Sequence, residues 1–517
     1  MKNALLFAAS AAVAAAQHGY HGSSPRRGPP SYRKPLVDST SLQKEINIED
    51  LMKGSQKLQD IADANDGTRV FGSSGSNATI DWLFEELTSL GTYDVYKHYF
   101  IELFSDSSAT LAVEGSETDF VPLPMSYTTP TDGVVVADFI QIAELGCETS
   151  DFPAGTEGSI ALISRGTCTF ATKAENAYLA GAVGAVIYNN LEGSLSGTLG
   201  GVGEYAPVVG VTQEEGQAIA AMLENGPVSG ELEVQSLIEN RTTANIIAQT
   251  KGGDQDNVLV LGGHTDSVAA GPGINDDGSG IVGCLEVARG LSKFEVTNAV
   301  RFAFWSAEEF GLLGSYAYLK SINSTEGEVD KILGYLNFDM IASPNYVLGV
   351  YDGDGSAFNL TGPDGSAEIE QEFQDFFTRN GEGFTETEFS GRSDYAAFLE
   401  NGVPSGGLFT GAEQLKTEEE ALMFGGEAGV AYDINYHQVG DTIDNINQDA
   451  YLINTKAIAN SVARYARGSD SLPRQSAGQR MRSAARERAY NRAGKQRSHN
   501  HGHKTLHAPC GHTSDST

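Results

Sequence analysis

Val258-Leu259-Val260-Leu261-Gly262-Gly263-His264-Thr265-Asp266 is an apolar run that stops abruptly on a histidine and an aspartate. Two later runs have the same shape. Phe302-Ala303-Phe304-Trp305 leads into Ser306-Ala307-Glu308-Glu309, and Gly334-Tyr335-Leu336-Asn337-Phe338 leads into Asp339. Short continuous apolar runs of this kind suit strands buried on both faces. Helical patterns separate them, at 280–291 and 309–319, and another strand pattern at 245–250 precedes them. Strand alternating with helix predicts an α/β fold: a three-layer, mixed but mostly parallel sheet with helices on both faces. Ligands bind such sheets beyond the carboxyl ends of the strands. Those ends are where the polar residues collect.

Working outward, helical patterns are expected at 48–64 and 78–90, the second capped by Asn77, followed by strands at 94–103 and 109–114. From about 120 to 237 the texture changes. Strand-like runs at 134–139, 159–164, 185–188 and 207–211 alternate with helical ones at 170–180 and 213–223, amid dense Gly and Pro punctuation. This stretch reads as a smaller α+β domain inserted in the chain. The expected division is a leader at 1–16, a linker or pro-segment at 17–40, the first part of the main domain at 41–118, the insert at 119–238, the polar-residue-bearing part at 239–467 and a tail at 468–517.

The 517 residues carry 34 Lys+Arg against 68 Asp+Glu, a formal charge of −34. The two ends are basic, +5 over 1–35 and +6 over 468–517, which leaves −45 on the body. So acidic a body argues against a nucleic-acid partner, which would require a cationic surface. Lys2 and the short apolar run 4–16 predict a secretory signal peptide. The run is too short to span a bilayer, which takes about 20 apolar residues. A secreted or vacuolar monomer is expected. Sequons at Asn77, Asn240, Asn323 and Asn359 agree with that route. Cys147 and Cys168 are the natural disulfide in such a compartment, whereas Cys284 reads as a small buried hydrophobe. Past Gly468 the chain is Arg-, Ser- and His-rich with little apolar periodicity, and is expected to remain unstructured.

Ten histidines occur, but two lie near the leader and five in the tail, leaving His98, His264 and His437 in the body. His264 belongs with the acids by position, His437 is the other candidate imidazole, and His98 in an alternating strand reads as structural. Imidazole and carboxylate without thiolate suit zinc or a similar first-row metal. A single ion would leave carboxylates in surplus. Two zinc ions with Asp276, Glu309 and Asp339 leave one positive charge, which a bridging hydroxide neutralises; this favours a pair of ions with Asp276 between them and leaves Glu308 free as a base. Asp266, two residues past His264 on an extended chain, is expected to accept the imidazole N–H.

Gly263-His264-Thr265-Asp266-Ser267, Asn275-Asp276-Asp277-Gly278-Ser279-Gly280, Trp305-Ser306-Ala307-Glu308-Glu309-Phe310-Gly311, Asn337-Phe338-Asp339-Met340 and Tyr436-His437, in this order, resemble the secreted co-catalytic dizinc aminopeptidases of the aminopeptidase Y and fungal leucine aminopeptidase type. The insert resembles the protease-associated (PA) domain at Arg165-Gly166-Thr167-Cys168-Thr169-Phe170, Lys173 and Asn176-Ala177-Tyr178-Leu179-Ala180-Gly181-Ala182-Val183-Gly184. The resemblance spans roughly 40–465. It implies a peptide hydrolase of the zinc exopeptidase fold, acting on peptides with a free N-terminus and holding two Zn2+. His264 and Asp339 would complete one metal site, Glu309 and His437 the other, with Asp276 bridging. Glu308 would be the general base, Asp266 the partner of His264, and Tyr436 a donor to the developing oxyanion. A cis peptide between Asp276 and Asp277 is also implied. The segment Gly391-Arg392-Ser393-Asp394-Tyr395 matches the family without an assigned role. The competing readings are a carboxypeptidase-type relative, a non-catalytic PA-containing receptor on the same fold, and a one-zinc glutaminyl-cyclase-like acyltransferase.

Overall fold

The computed structural model describes residues 33–473 and 478–488; the expected leader and the tail histidines lie outside them. The main sheet runs in the order Thr385–Thr387, Gly349–Tyr351, Ser405–Phe409, Ile332–Phe338, Asp254–His264, Asn298–Trp305, Ser229–Thr250. Asp254–His264 lies parallel to both Ile332–Phe338 and Asn298–Trp305. From Val258 to His264 it is buried, and alternate side chains enter opposite cores. Leu259 and Leu261 enter the core that helices Ile48–Asp63, Gly278–Leu291 and Gln448–Arg467 share. Val258 and Val260 face the side covered by helices Leu313–Asn323 and Tyr395–Leu399. Burying each such side chain contributes about 1.5–3 kcal/mol, which is why continuous apolar runs make central strands. The expected three layers are present.

Registration brings the polar strand ends together. His264 pairs with Trp305, and Asn337 with Gly262, so the segments after all three strands emerge at one edge. Two glycines permit the close approach. A Cβ on Gly263 would lie 2.0 Å from Asp277 Oδ2, and one on Gly280 would lie 1.9 Å from the Phe338 carbonyl oxygen. Asp277 caps helix Gly278–Leu291 by accepting the Gly280 N–H.

Five local expectations are corrected. The strands 94–103 and 109–114 are one continuous strand, Tyr93–Val113, and the strand at 245–250 begins far earlier, at Ser229. The two form an antiparallel ribbon from Tyr93↔Thr250 to Val113↔Gly230. At its outer end the ribbon joins the inserted domain, where Val135–Gln141 pairs with the start of Ser229–Thr250 and continues into Ile160–Ser164, Gly184–Tyr188 and Val208–Val211. Helix Ser74–Ser89 is capped by Ser73, and Asn77 lies within its first turn with its side chain exposed. The helix expected at 309–319 is Leu313–Asn323, because Gly311 (φ 111°) and Leu312 (φ 60°) hold the preceding loop in left-handed backbone. The tail is not wholly unstructured either. Residues 478–488 are helical, with Ala484 buried and Arg480 paired to Asp330. This segment has little apolar surface of its own and orders itself on surface the main domain supplies.

Cys147 and Cys168 form a disulfide and Cys284 is buried and free.

Candidate metal centre

His264, Asp276, Glu308, Glu309, Asp339, Tyr436 and His437 converge beyond the carboxyl ends of the parallel strands. Asp276 lies between two imidazoles: Oδ1 is 3.2 Å from His264 Nε2, and Oδ2 is 3.2 Å from His437 Nε2. Asp339 Oδ1 lies 3.6 Å from His264 Nε2, and Glu309 Oε2 lies 3.0 Å from His437 Nε2. Two donor groups result, His264/Asp276/Asp339 and Asp276/Glu309/His437, sharing one carboxylate. Glu308 Oε2 stands 3.8 Å from His264 Nε2, belonging to neither group.

Acidic side chains tie the site-bearing loops together. Asp277 accepts from the backbone N–H of His264 (2.9 Å), Gly280 (3.0 Å) and Met340 (3.1 Å), joining three segments. Asp441 accepts from the N–H groups of Asn275 (2.8 Å) and Asp276 (3.0 Å). The Asp276–Asp277 peptide is cis. Ala307, Met340 and His437, each within or beside the donor set, are three of the eight non-glycine residues with positive φ among the described residues. Non-glycine backbone of this kind gathers where the surroundings enforce a geometry.

Asp266 does something other than expected. Its carboxylate Oδ1 is 3.8 Å from His264 Nδ1, too far for a hydrogen bond, and accepts instead from the Glu308 N–H (3.1 Å), while Oδ2 accepts from the Glu309 N–H (3.4 Å). The Asp266 backbone carbonyl oxygen is the atom 3.2 Å from Nδ1. Since a carbonyl only accepts, Nδ1 donates to it, and the ring is held with Nε2 directed at the acids. The two-residue spacing placed Asp266 beside His264, but the turn after the strand aimed the side chain at the neighbouring loop.

Residues with no role assigned from sequence complete the site. Ser393 Oγ donates to Asp339 Oδ2 (2.5 Å), and Asn337 Nδ2 donates to Ser393 Oγ (2.8 Å). Arg392 donates to Glu413 (2.6 Å) and to the Tyr436 hydroxyl (3.1 Å), and the Tyr436 ring stacks on His437 with centroids 3.8 Å apart. Arg69, wholly buried, donates to the carbonyl oxygens of Thr265, Pro272 (2.8 Å) and Gly273. Nothing in the sequence around Arg69 signals this; it lies between two helices and reaches the centre only through the fold. His98 is elsewhere, against Asn245 and Phe100.

So many buried carboxylates are poorly balanced by protons alone. Burial, with Asp339 and Glu309 nearby, pushes Glu308 well above the usual carboxylate range, and burial with Asp276 raises Glu309. Burial opposes a charged His437 ring, but Glu309 and Asp276 override it and raise its pKa to about 11. His264 is raised for the same reason by Glu308 and Asp339. Glu309 Oε1 is buried without a hydrogen-bond partner. An orphan carboxylate oxygen amid imidazole and carboxylate donors fits a divalent cation, and this donor set suits zinc. Beside the centre lies a cavity of about 380 Å³ with Met340, Val347, Tyr351, Phe358 and Phe409 in its wall.

The family model for peptidase family M28 matches residues 245–462, and that for the PA domain matches 131–219. Over 445 residues the chain is 53% identical to a probable leucine aminopeptidase 2 of Aspergillus fumigatus, covering 85% of this chain and 88% of that one. The chain belongs to peptidase family M28. Among solved structures, this M28 peptidase is similar to an aminopeptidase from Aneurinibacillus sp. strain AM-1 (27% identity, TM-score 0.67, 85% of this chain and 98% of that one). It is also similar to BSAP, a zinc aminopeptidase from Bacillus subtilis (26% identity, TM-score 0.60, 84% and 97%). The M28 match begins within the strand Ser229–Thr250 and takes in every candidate metal donor, and the PA match lies wholly at the outer end of the ribbon.

Proposed function

We propose that this metallo-aminopeptidase of family M28 removes N-terminal residues from peptides with two zinc ions, one held by His264 and Asp339, the other by Glu309 and His437, with Asp276 shared. The single observation that carries this reading is Asp276, whose two oxygens each face a different imidazole at 3.2 Å. Divalent ions so held supply Lewis acidity to the scissile carbonyl and lower the pKa of water.

The chain's own groups do the rest. Glu308 sits beside the donor sets with its carboxylate uncommitted; it takes the proton of the attacking water and returns it to the leaving amine. Asp266 fixes Glu308 through the backbone N–H. The Tyr436 hydroxyl, steadied by Arg392, donates to the carbonyl oxygen as it gains charge. The substrate's free α-amine is expected against the surplus carboxylates, and its side chain in the adjoining cavity. The apolar wall of Met340, Val347, Tyr351 and Phe409 suits an aliphatic first residue, in keeping with the names of the fungal relatives.

Glu308→Ala tests the assignment. The variant should keep its zinc by elemental analysis and lose about 10²–10⁴-fold in kcat; an active, zinc-replete variant would refute it. N-acetylated peptides should resist cleavage where free ones are cut, and the reverse would favour the carboxypeptidase reading. Secretion is part of the proposal, in keeping with the leader expected from the sequence at 1–16 and with the Cys147–Cys168 disulfide. No helix among the described residues is long and apolar enough to cross a membrane.

A further inference from the structure

Phe358 stands in the cavity wall on the loop 352–365, which joins strand Gly349–Tyr351 to helix Ser366–Asn380. The near side of this loop is anchored from within. Asp352 accepts from the backbone N–H groups of Gly355 (2.7 Å), Ser356 (3.1 Å), Ala357 (3.0 Å) and Phe358 (2.8 Å). Its far side is held by a distant part of the chain. The guanidinium of Arg486 donates to the carbonyl oxygens of Thr361 (3.0 Å) and Gly362 (2.9 Å).

Arg486 belongs to the helical segment 478–488, outside the M28 match. That segment is docked at several points. Arg480 pairs with Asp330, Arg488 Nε donates to the Glu400 carbonyl oxygen (2.8 Å), and Ala484 is buried. The fit is close: a Cβ on Gly402 (φ 73°) would lie 2.3 Å from the Arg480 carbonyl oxygen. Glu400 and Gly402 follow helix Tyr395–Leu399, whose first residue, Tyr395, also lines the cavity. The segment therefore grips two loops, each leading to a cavity residue.

We propose that residues 478–488 form a clasp in which Arg486 is a positioning residue: by holding residues 361–362 it sets Phe358 in the cavity wall, and with it the size of N-terminal side chain the enzyme accepts. This rests on the reading of the cavity as the seat of the substrate's first side chain. A charge-assisted pair of hydrogen bonds to one turn of loop is enough to bias where a bulky ring sits.

The test uses the full-length, zinc-loaded enzyme and alanyl, leucyl and phenylalanyl coumarin amides. Arg486→Ala should raise KM about three- to tenfold for the leucyl and phenylalanyl substrates, with the alanyl KM and every kcat nearly unchanged. Arg486→Lys, retaining a cationic donor, should recover part of the loss. Phe358→Ala should shift the same KM values, and Arg486→Ala added to it should do nothing more. If Phe358→Ala shifts KM and Arg486→Ala does not, the clasp is refuted and the cavity assignment stands. If neither shifts KM, the cavity assignment fails and the clasp with it. A uniform fall in kcat across all three substrates would show a general structural role and would also overturn the proposal.

Discussion

Asp266 can serve the proposed catalysis without touching a reacting atom. Its oxygens take the N–H groups of Glu308 and Glu309, so one side chain aims both the candidate base and a candidate metal donor. Asp266→Asn keeps the shape but can accept from only one of the two N–H groups, its amide nitrogen facing the other N–H with a donor of its own. It is expected to keep zinc, lower kcat roughly 10- to 100-fold and leave KM for small substrates in place, as steady-state kinetics would show. The imidazoles supply a pH prediction. In the metal-free protein His437 titrates near 11, far above an unfolded histidine, so the stability it gives is complete below about 6.5 and disappears as pH rises toward 11. Glu308 and Glu309, raised by burial, act in the same direction, since their stabilising protons leave as pH rises above the unfolded carboxylate range. Zinc needs those donors unprotonated. The Tm difference between zinc-loaded and metal-free protein should therefore widen from pH 6 to pH 9 by calorimetry; a gap that narrows would contradict the ligand set.

The elements around the centre are decided by close approach. Gly263 ends a strand where Asp277 Oδ2 would lie 2.0 Å and the Phe338 carbonyl oxygen 2.6 Å from any Cβ. Gly263→Ala should displace Asp277, cost about 1–3 kcal/mol in urea unfolding and lower zinc occupancy; unchanged stability would show that the loops can part without harm. Such contacts explain what could be read in advance. Central strands such as 258–264 and 300–305 announce themselves, because burial on both faces demands unbroken apolar residues. His264, Glu309 and Asp339 were legible because they end or follow such strands, and His437 because it is the other candidate imidazole left in the body. Side-chain aim was not: Asp266 and Arg69 act across turns whose direction is set by tertiary contacts. The shift of one helix start from 309 to Leu313 has a similar cause, a left-handed loop at Gly311 and Leu312 that periodicity does not register. Residues 478–488 were misread because composition reports what a segment can bury by itself, not what it can borrow.

At the scale of the whole molecule, the inserted domain hangs from the ribbon formed by Tyr93–Val113 and Ser229–Thr250. Ala109, Leu111, Val113, Leu232 and Val234 pack into the core of the insert, whereas Asp106 and Leu237 face each other nearer the main sheet. Replacing residues 107–236 by Asn-Gly would close the ribbon as a two-residue hairpin without stranding that apolar surface. The shortened enzyme is expected to fold, bind zinc and cleave aminoacyl coumarins at near-native rates. If the insert shields the cleft, long peptides should be cut faster than by the full chain, measured by mass spectrometry of the products. The ribbon also bears on how the chain assembles. Tyr93 must find Thr250, and closing so long a loop is entropically slow in an unfolded chain. An insert that folds first, through its own short-range contacts, gathers Val113 and Gly230 beforehand. The remaining pairs can then zip inward from its base, so the appended domain would act as the nucleus from which the catalytic sheet is completed.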